Sequence, residues 1–186
     1  MFVDETHDIA ERALSLLAVF DACPSDDEGM GEAAALLADA LELDVVAVWS
    51  ALPESETGPE VLVRVWNGPA PVLWPEPADV PLLKIALGGE PLVRLDAEGD
   101  APLAVPLVDA LGLRSYVVLP LLDERRSVLG ALLAGRCRPS NDARVLEPAL
   151  RAATARFASA LELRRAREQG RARGLVDTLT GLPNRL

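Results

Sequence analysis

The chain has 186 residues, half of them hydrophobic, which fits one domain with a core of ordinary size and a linker. Its net charge of −11 is uneven, because residues 1–100 carry 21 acidic and 4 basic side chains while residues 101–186 carry 8 and 14. The acidic body argues against nucleic-acid binding, and the lack of a long apolar run or a basic N-terminal segment argues against membrane contact and secretion, so we predict a cytoplasmic protein.

The N-terminal part predicts two helices. Ile9, Leu16 and Phe20 recur on one face of a first amphipathic helix. A loop at residues 21–29 ends this helix. A second helix is predicted over residues 30–43. We interpret residues 1–24 as a helix for packing or dimerisation.

Two strands and an irregular segment follow. Residues 45–52 form a short apolar run typical of a strand buried on both faces, and residues 61–66 alternate like a second strand. Eight prolines between residues 67 and 113 exclude long regular elements. Within that segment we predict helical turns near residues 80–87 and 103–111, and a short strand at residues 92–95.

Regular structure is predicted again after residue 113. Residues 115–122 and 127–134 are apolar strands joined by the polar turn at residues 123–126, which indicates a β-hairpin. Gly130 in the second of these strands would let neighbouring backbone approach closely.

A long final helix is predicted to begin at Asn141 or Asp142. Its apolar seam has heptad spacing, which is typical of helices that pack along one apolar face. The predicted dimer contacts, with those of the first helix, are Ile9, Leu16, Phe20, Leu146, Leu150, Phe157 and Leu161. Residues 163–176 continue as a basic linker helix.

The element order resembles that of the GAF family over residues 25–162. Residues 113–122 (Leu-Arg-Ser-Tyr-Val-Val-Leu-Pro-Leu-Leu) and 127–132 (Ser-Val-Leu-Gly-Ala-Leu) are similar to its pattern of a strand ending in proline, a turn and a glycine-containing strand. The resemblance implies a GAF/PAS-like α/β (α+β) fold. A central antiparallel sheet would carry the long N- and C-terminal helices on one face and the proline-rich segment on the other. Family members often form homodimers through those helices.

The last ten residues, 177–186, resemble the opening motif of GGDEF diguanylate cyclase domains. The sequence Asp-Thr-Leu-Thr-Gly-Leu-Pro-Asn-Arg-Leu fits the pattern D-x-L-T-G-L-x-N-R. The resemblance implies a truncated catalytic domain that would use GTP and Mg²⁺ to make cyclic di-GMP. The motif has no catalytic group of its own, so we expect no enzymatic activity from this chain. Its matching residues are Asp177, Leu179, Thr180, Gly181, Leu182, Asn184 and Arg185.

We predict a small-molecule pocket between the sheet and the proline-rich segment, because long irregular segments in compact domains commonly cover binding sites. The alternative is that the same side chains only fill the core of a domain that dimerises without a ligand. The predicted pocket residues are Trp49, Arg64, Trp66, Trp74, Leu83, Leu92, Tyr116 and Val118.

No cofactor or metal site is evident from the sequence. His7, the single histidine, lies outside the pocket segment, which argues against haem or iron. Neither cysteine has the following histidine typical of bilin attachment in this family. A more distant alternative is a cysteine-based redox sensor or reductase, because Arg136 and Arg138 flank Cys137, whereas Cys23 is a poor partner.

Overall fold

The computed structural model describes residues 23, 26–51, 60–68, 74, 84–86, 88–94, 106–139 and 143–174. Its strands within these residues are β1 (Val45–Ser50), β2 (Glu60–Trp66), β3 (Leu92–Arg94), β4 (Ser115–Leu122) and β5 (Val128–Arg136). Its helices there are α1 (Asp27–Ala40), α2 (Pro106–Leu111) and α3 (Ala143–Gly174). The sheet has the order β2-β1-β5-β4-β3 with antiparallel neighbours, which confirms the mixed α/β fold predicted from the sequence.

Helix α1 begins three residues earlier than the hydrophobic pattern predicted. Asp26 is its N-cap, and the carboxylate oxygen Oδ1 accepts a hydrogen bond of 2.9 Å from the Gly29 backbone N–H. At the other end, Glu42 adopts a left-handed φ of 50°, which turns the chain toward β1. The predicted end at residue 43 was therefore too late, because Leu43 already belongs to the turn.

Strand β1 is buried along its whole length, as its continuous apolar run predicted. Its side chains alternate between two hydrophobic clusters, with Val46 and Val48 in one and Val45, Ala47 and Trp49 in the other. We call the first side of the sheet the helix face and the second the aromatic face.

Helices α1 and α3 cover the helix face. The shared core includes Leu37 from α1 and Phe157 from α3, each at most 1% exposed. Apart from Cys23, the segment 1–24 with the predicted first helix lies outside the described residues, so α1 is the second of the helices predicted from the sequence. Among the described helices, none is both long and apolar enough to cross a membrane.

The predicted hairpin is present between β4 and β5. The Asp123 backbone N–H donates to the Ser127 carbonyl at 3.0 Å, and Asp123 Oδ1 accepts from the Ser127 N–H at 2.7 Å. Arg126 completes the turn with a φ of 63°. Strand β5 continues to Arg136, two residues beyond its predicted end.

Gly130 has the close backbone approach that the sequence predicted. A Cβ atom at this position would lie 2.0 Å from the Trp49 carbonyl oxygen. The register between β1 and β2 shifts between Val48 and Trp49, which is typical of a bulged strand. A side chain at residue 130 would separate β5 from β1.

The predicted short elements of the middle segment are partly described. Strand β3 lies within the strand predicted at residues 92–95, and it extends the sheet by pairing with residues 116–118 of β4. Helix α2 forms the end of the predicted turn at 103–111. Of the turn predicted at 80–87, residues 84–86 are helical and 88 is a turn residue.

Candidate ligand-binding site

The aromatic face holds a second hydrophobic cluster, separate from the core beneath α1 and α3. Alternating residues of β1, β4 and β5 form its floor, and α2 and the helical turn at 84–86 pack onto it. Its buried members are Val45, Ala47, Trp49, Ala86, Leu107, Val108, Leu111, Leu113, Tyr116, Val118, Ala131 and Leu133.

The structure brings most of the predicted pocket residues together here. Trp49, Tyr116 and Val118 are buried members of the cluster, and Trp66, Trp74 and Leu92 are half-buried against it. All three tryptophans and the single tyrosine of the chain therefore lie on one face of the sheet. Leu83 lies outside the described residues. That the group binds a ligand stays a prediction.

Arg64 lies at the rim of this cluster rather than within it. Its side chain is exposed on β2, and the guanidinium carbon lies 5.5 Å from the centre of the Trp74 ring, which is a cation–π distance. The contact joins strand β2 to the middle segment. It also leaves a positive charge over the half-buried Trp74 indole, a combination suited to an anionic or a flat aromatic group.

Sequence reasoning missed Gly68, which determines where Trp66 lies. A Cβ atom on Gly68 would be 2.0 Å from Cζ2 of the Trp66 ring, so the indole rests directly on the glycine backbone. Only glycine leaves that space open. The Asn-Gly pair directly after a predicted strand was the available signal, but it indicates a turn and says nothing about an indole.

Cys137 lies at the edge of the same cluster, in surroundings that do not activate it. Its burial, followed by the charge and hydrogen bonding of Asp44, raises the pKa of the thiol above its ordinary value. The Sγ atom lies 3.4 Å from the Leu111 carbonyl, to which its S–H donates. The distant redox alternative needs the opposite shift.

The two flanking arginines explain why the electropositive site predicted at Cys137 is absent. The Arg136 guanidinium donates to the carbonyls of Leu41 and Glu42, and Arg138 pairs with the Glu42 carboxylate at 2.7 Å. Cys23, which the sequence indicated to be a poor redox partner, packs against the helix-face core on the other side of the sheet. Both cysteines are free.

The predicted dimer seam of the final helix requires a correction. Leu150, Phe157 and Leu161 are 1–2% exposed because they pack onto the helix face of the chain's own sheet. Their heptad spacing therefore marks a face used inside the chain, not one open to a second copy. The Leu146 side chain, the first-helix residues Ile9, Leu16 and Phe20, and the motif at 177–186 lie outside what the structure describes.

Two polar arrangements were also missed by sequence reasoning. Arg136, only 7% exposed, holds the turn after α1 through the hydrogen bonds given above. Arg164 of α3 pairs with Glu60 at the start of β2, 104 residues away in sequence. Neither pairing has a local signal. Among the described residues, no group of three or more His, Cys, Asp or Glu side chains could hold a metal ion.

Comparisons with known proteins agree with this architecture. The GAF domain family model matches residues 28–164, close to the predicted 25–162. The GAF domain of a phosphoenolpyruvate-protein phosphotransferase from Acinetobacter has a TM-score of 0.64 and 14% identity, with 87% of this chain and 97% of that chain covered. No curated protein matches the sequence.

Two ligand-binding structures are also similar. The phycoerythrobilin-bound GAF domain of a cyanobacterial phytochrome has a TM-score of 0.63 and 14% identity, covering 86% of this chain and 99% of that chain. The free methionine-R-sulfoxide reductase from Neisseria meningitidis, solved with its substrate, has a TM-score of 0.61 and 19% identity, covering 86% and 93%. At these identities the likeness shows the fold alone.

Proposed function

Because this chain belongs to the GAF domain family, a sensory and regulatory fold, we propose that it senses a small molecule on its aromatic face and regulates a diguanylate cyclase. The cyclase domain would begin at Asp177, extend beyond residue 186 in the parent protein, and make cyclic di-GMP from GTP with Mg²⁺ in the cytoplasm. The chain itself would bind and transmit, without catalysing a reaction.

One observation supports the ligand site above all. The three tryptophans and the tyrosine lie on the aromatic face, and Arg64 is at its rim. Ligand pockets combine apolar and aromatic walls with a few polar groups, and this face has that composition. The helix face has an aliphatic core with Phe157 as its buried aromatic residue.

A second candidate function also has an observation in its favour. Trp49 and Tyr116 are 3% and 6% exposed, so the floor of the aromatic face is already covered by the chain's own side chains. A GAF domain whose interior is filled in this way would act as a ligand-free dimerisation module. The two candidates differ in whether Trp66 and Trp74 at the rim bind a ligand.

Helix α3 supports the proposed output. Its described part is continuous from Ala143 to Gly174, three residues before Asp177, where the stretch that resembles the GGDEF opening motif begins. Diguanylate cyclase domains are expected to work in pairs, so a helix leading into each domain could set their spacing. Since Phe157 and its neighbours are used inside the chain, we assign dimerisation to the apolar stripe of residues 1–24 and to the outer side of α3, where Leu163 is 37% exposed.

Native mass spectrometry of the purified chain tests this proposal. We expect a dimer with a co-purified small molecule, and we expect Arg64→Gln to reduce the bound fraction while Arg138→Gln, a control at an exposed arginine that pairs with Glu42, leaves it unchanged. A bare dimer that also binds nothing from a cell extract would favour the ligand-free module. A monomer at all concentrations would exclude dimerisation by this chain.

The cyclase assignment needs its own measurement. The full-length parent protein, incubated with GTP and Mg²⁺, should form cyclic di-GMP detectable by chromatography and mass spectrometry. The 186-residue chain should form none. A parent protein without a GGDEF domain would refute this part of the proposal and leave the sensory part intact.

A further inference from the structure

The last part of α3 leaves the domain at one end of the sheet. Among the helix residues up to 170, whose side chains the structure describes, Leu161 is the last one buried in the core. The described part of the helix beyond Leu161 therefore has little apolar contact. Its position must depend on a few specific interactions.

One of these is an ion pair between Arg164 and Glu60, which we call the exit ion pair. The Arg164 Nη2 atom lies 3.1 Å from Glu60 Oε2, while its Nε atom lies 3.0 Å from the carboxylate of Glu168 one turn further along the helix. The Arg164 side chain is only 22% exposed, against 61% for Arg138 in the ion pair with Glu42. The arginine of the exit ion pair is therefore better shielded from water, whereas the two glutamates, Glu60 and Glu42, are similarly exposed at 56% and 58%.

Ser50 lies at the same end of the sheet and is 1% exposed. In β1 it follows Val48 and Trp49, so alternation directs it to the helix face, opposite Glu60 on one side and Gly130 on the other. Gly130 in turn lies against Leu161. Among the described residues, the Ser50 hydroxyl has no hydrogen-bond partner.

A buried hydroxyl without a partner opposes the packing that buries it, because it has lost its hydrogen bonds to water. Both cross-strand neighbours of Ser50 lie against the helix end, Gly130 against Leu161 and Glu60 against Arg164, so docking of this end that covers Ser50 has an unfavourable contribution. If the helix end lifts, water can reach the hydroxyl and that contribution disappears. The exit ion pair acts in the other direction, because it is complete only when the helix is docked.

We infer that this end of α3 exchanges between two states, docked on the sheet and lifted from it, and we call it the joint. The exit ion pair stabilises the docked state, and the buried Ser50 hydroxyl destabilises it. Strand β2 connects the joint to the aromatic face, since Glu60 is its first residue and Trp66 its last, about 20 Å apart. A displacement of Trp66 can then be transmitted along β2 to Glu60 and its partner Arg164. The joint depends only on the contacts above, whereas its use in sensing rests on the proposed function.

Hydrogen exchange of the backbone amides of residues 161–168 tests the joint in the chain without any ligand. We expect Glu60→Gln to reduce their protection about two- to fivefold, the range of a partly exposed ion pair. Glu42→Gln removes the exposed ion pair with Arg138 and should leave these amides unchanged. Equal effects of the two variants, or no effect of Glu60→Gln, would overturn the inference.

Ser50→Ala tests the second half of the joint. Alanine fits the same space without a hydroxyl, so protection of the same amides should increase by about fivefold or more. A decrease would show that the hydroxyl has a stabilising partner, such as a buried water, and that the joint is not biased toward opening. The amides of β4 and β5 should keep their protection in either variant, which reports an intact core.

Gly68→Ala tests the connection through β2, because the added Cβ must displace the Trp66 indole. Protection of residues 161–168 should change in this variant, and the change should be absent when Glu60→Gln is also present. The same change in both backgrounds would refute transmission through the exit ion pair. None of these results depends on a ligand, a dimer or a cyclase, so failure of the proposed function would be seen separately.

Discussion

Replacing Phe157 by alanine shows whether the apolar seam of the final helix packs within its own chain or against a second copy. The Phe157 side chain of α3 is 1% exposed and packs onto the sheet, so its truncation removes a fully buried ring and leaves a cavity. Phe→Ala changes in cores cost about 3–5 kcal/mol of unfolding free energy. A domain of this size has about 5–15 kcal/mol in total, so the variant should fold but unfold at much lower urea.

The assay is urea unfolding followed by circular dichroism at two protein concentrations tenfold apart. A cavity within one chain lowers the stability equally at both concentrations, whereas a lost contact between copies gives a concentration-dependent loss. Leu36→Ala, at a 38% exposed position of α1, is the control for folding and should change the stability by no more than about 0.5 kcal/mol at either concentration. A loss below about 1 kcal/mol for Phe157→Ala, or a concentration-dependent loss, would refute the core assignment.

Gly130→Ala should destabilise the fold by about 1–3 kcal/mol in urea unfolding, because the new Cβ would meet the Trp49 carbonyl at 2.0 Å. Arg136→Met should cost about 1–3 kcal/mol in the same assay, because buried carbonyls after α1 lose their donor. Asp44→Asn should speed alkylation of Cys137 by iodoacetamide at pH 8, because the carboxylate raises the pKa of that thiol. The pKa of the Cys137 thiol is higher in the folded than in the unfolded state. Its contribution to stability is therefore complete below the unfolded pKa of about 8.5 and is lost as the pH rises through the folded pKa.

Each of these changes has a matched control. Gly31→Ala, in α1 with nothing within 4 Å of the new Cβ, should stabilise the chain by up to about 1 kcal/mol. Arg138→Met removes only an exposed ion pair and should cost less than about 1 kcal/mol. The alkylation rate of Cys23, on the other face of the sheet, should not respond to Asp44→Asn. If each control matched its variant, the specific contacts would not be the cause.

Much of the fold followed from local patterns in the sequence. The uninterrupted apolar run of β1, the alternation in β2 and the polar turn at 123–126 each depend on a few neighbouring residues, and the structure has each of them. The need for glycine at 130 was also local, since a glycine within a strand indicates close backbone approach. The start of α1 was missed because its capping residue, Asp26, lies in a run of acidic residues that also suits a loop.

The candidate site was only partly predictable for a physical reason. Trp49, Trp66 and Tyr116 could be proposed together because strand alternation assigns each side chain to a face, but Gly68 could not, since its role depends on where an indole lies in space. The Cys137 surroundings were mispredicted for the same reason. Arg136 and Arg138, which flank Cys137 in the sequence, bind the backbone and the carboxylate of Glu42 instead.

The sequence by itself determined which segments are helices or strands and which of their faces are apolar, because backbone periodicity is a local property. It could not determine what each face packs against. A heptad seam suits a second helix or a sheet equally well, and only the tertiary structure placed Phe157 against the sheet of its own chain. The Arg164–Glu60 contact likewise exists only because folding brings together residues that are 104 positions apart.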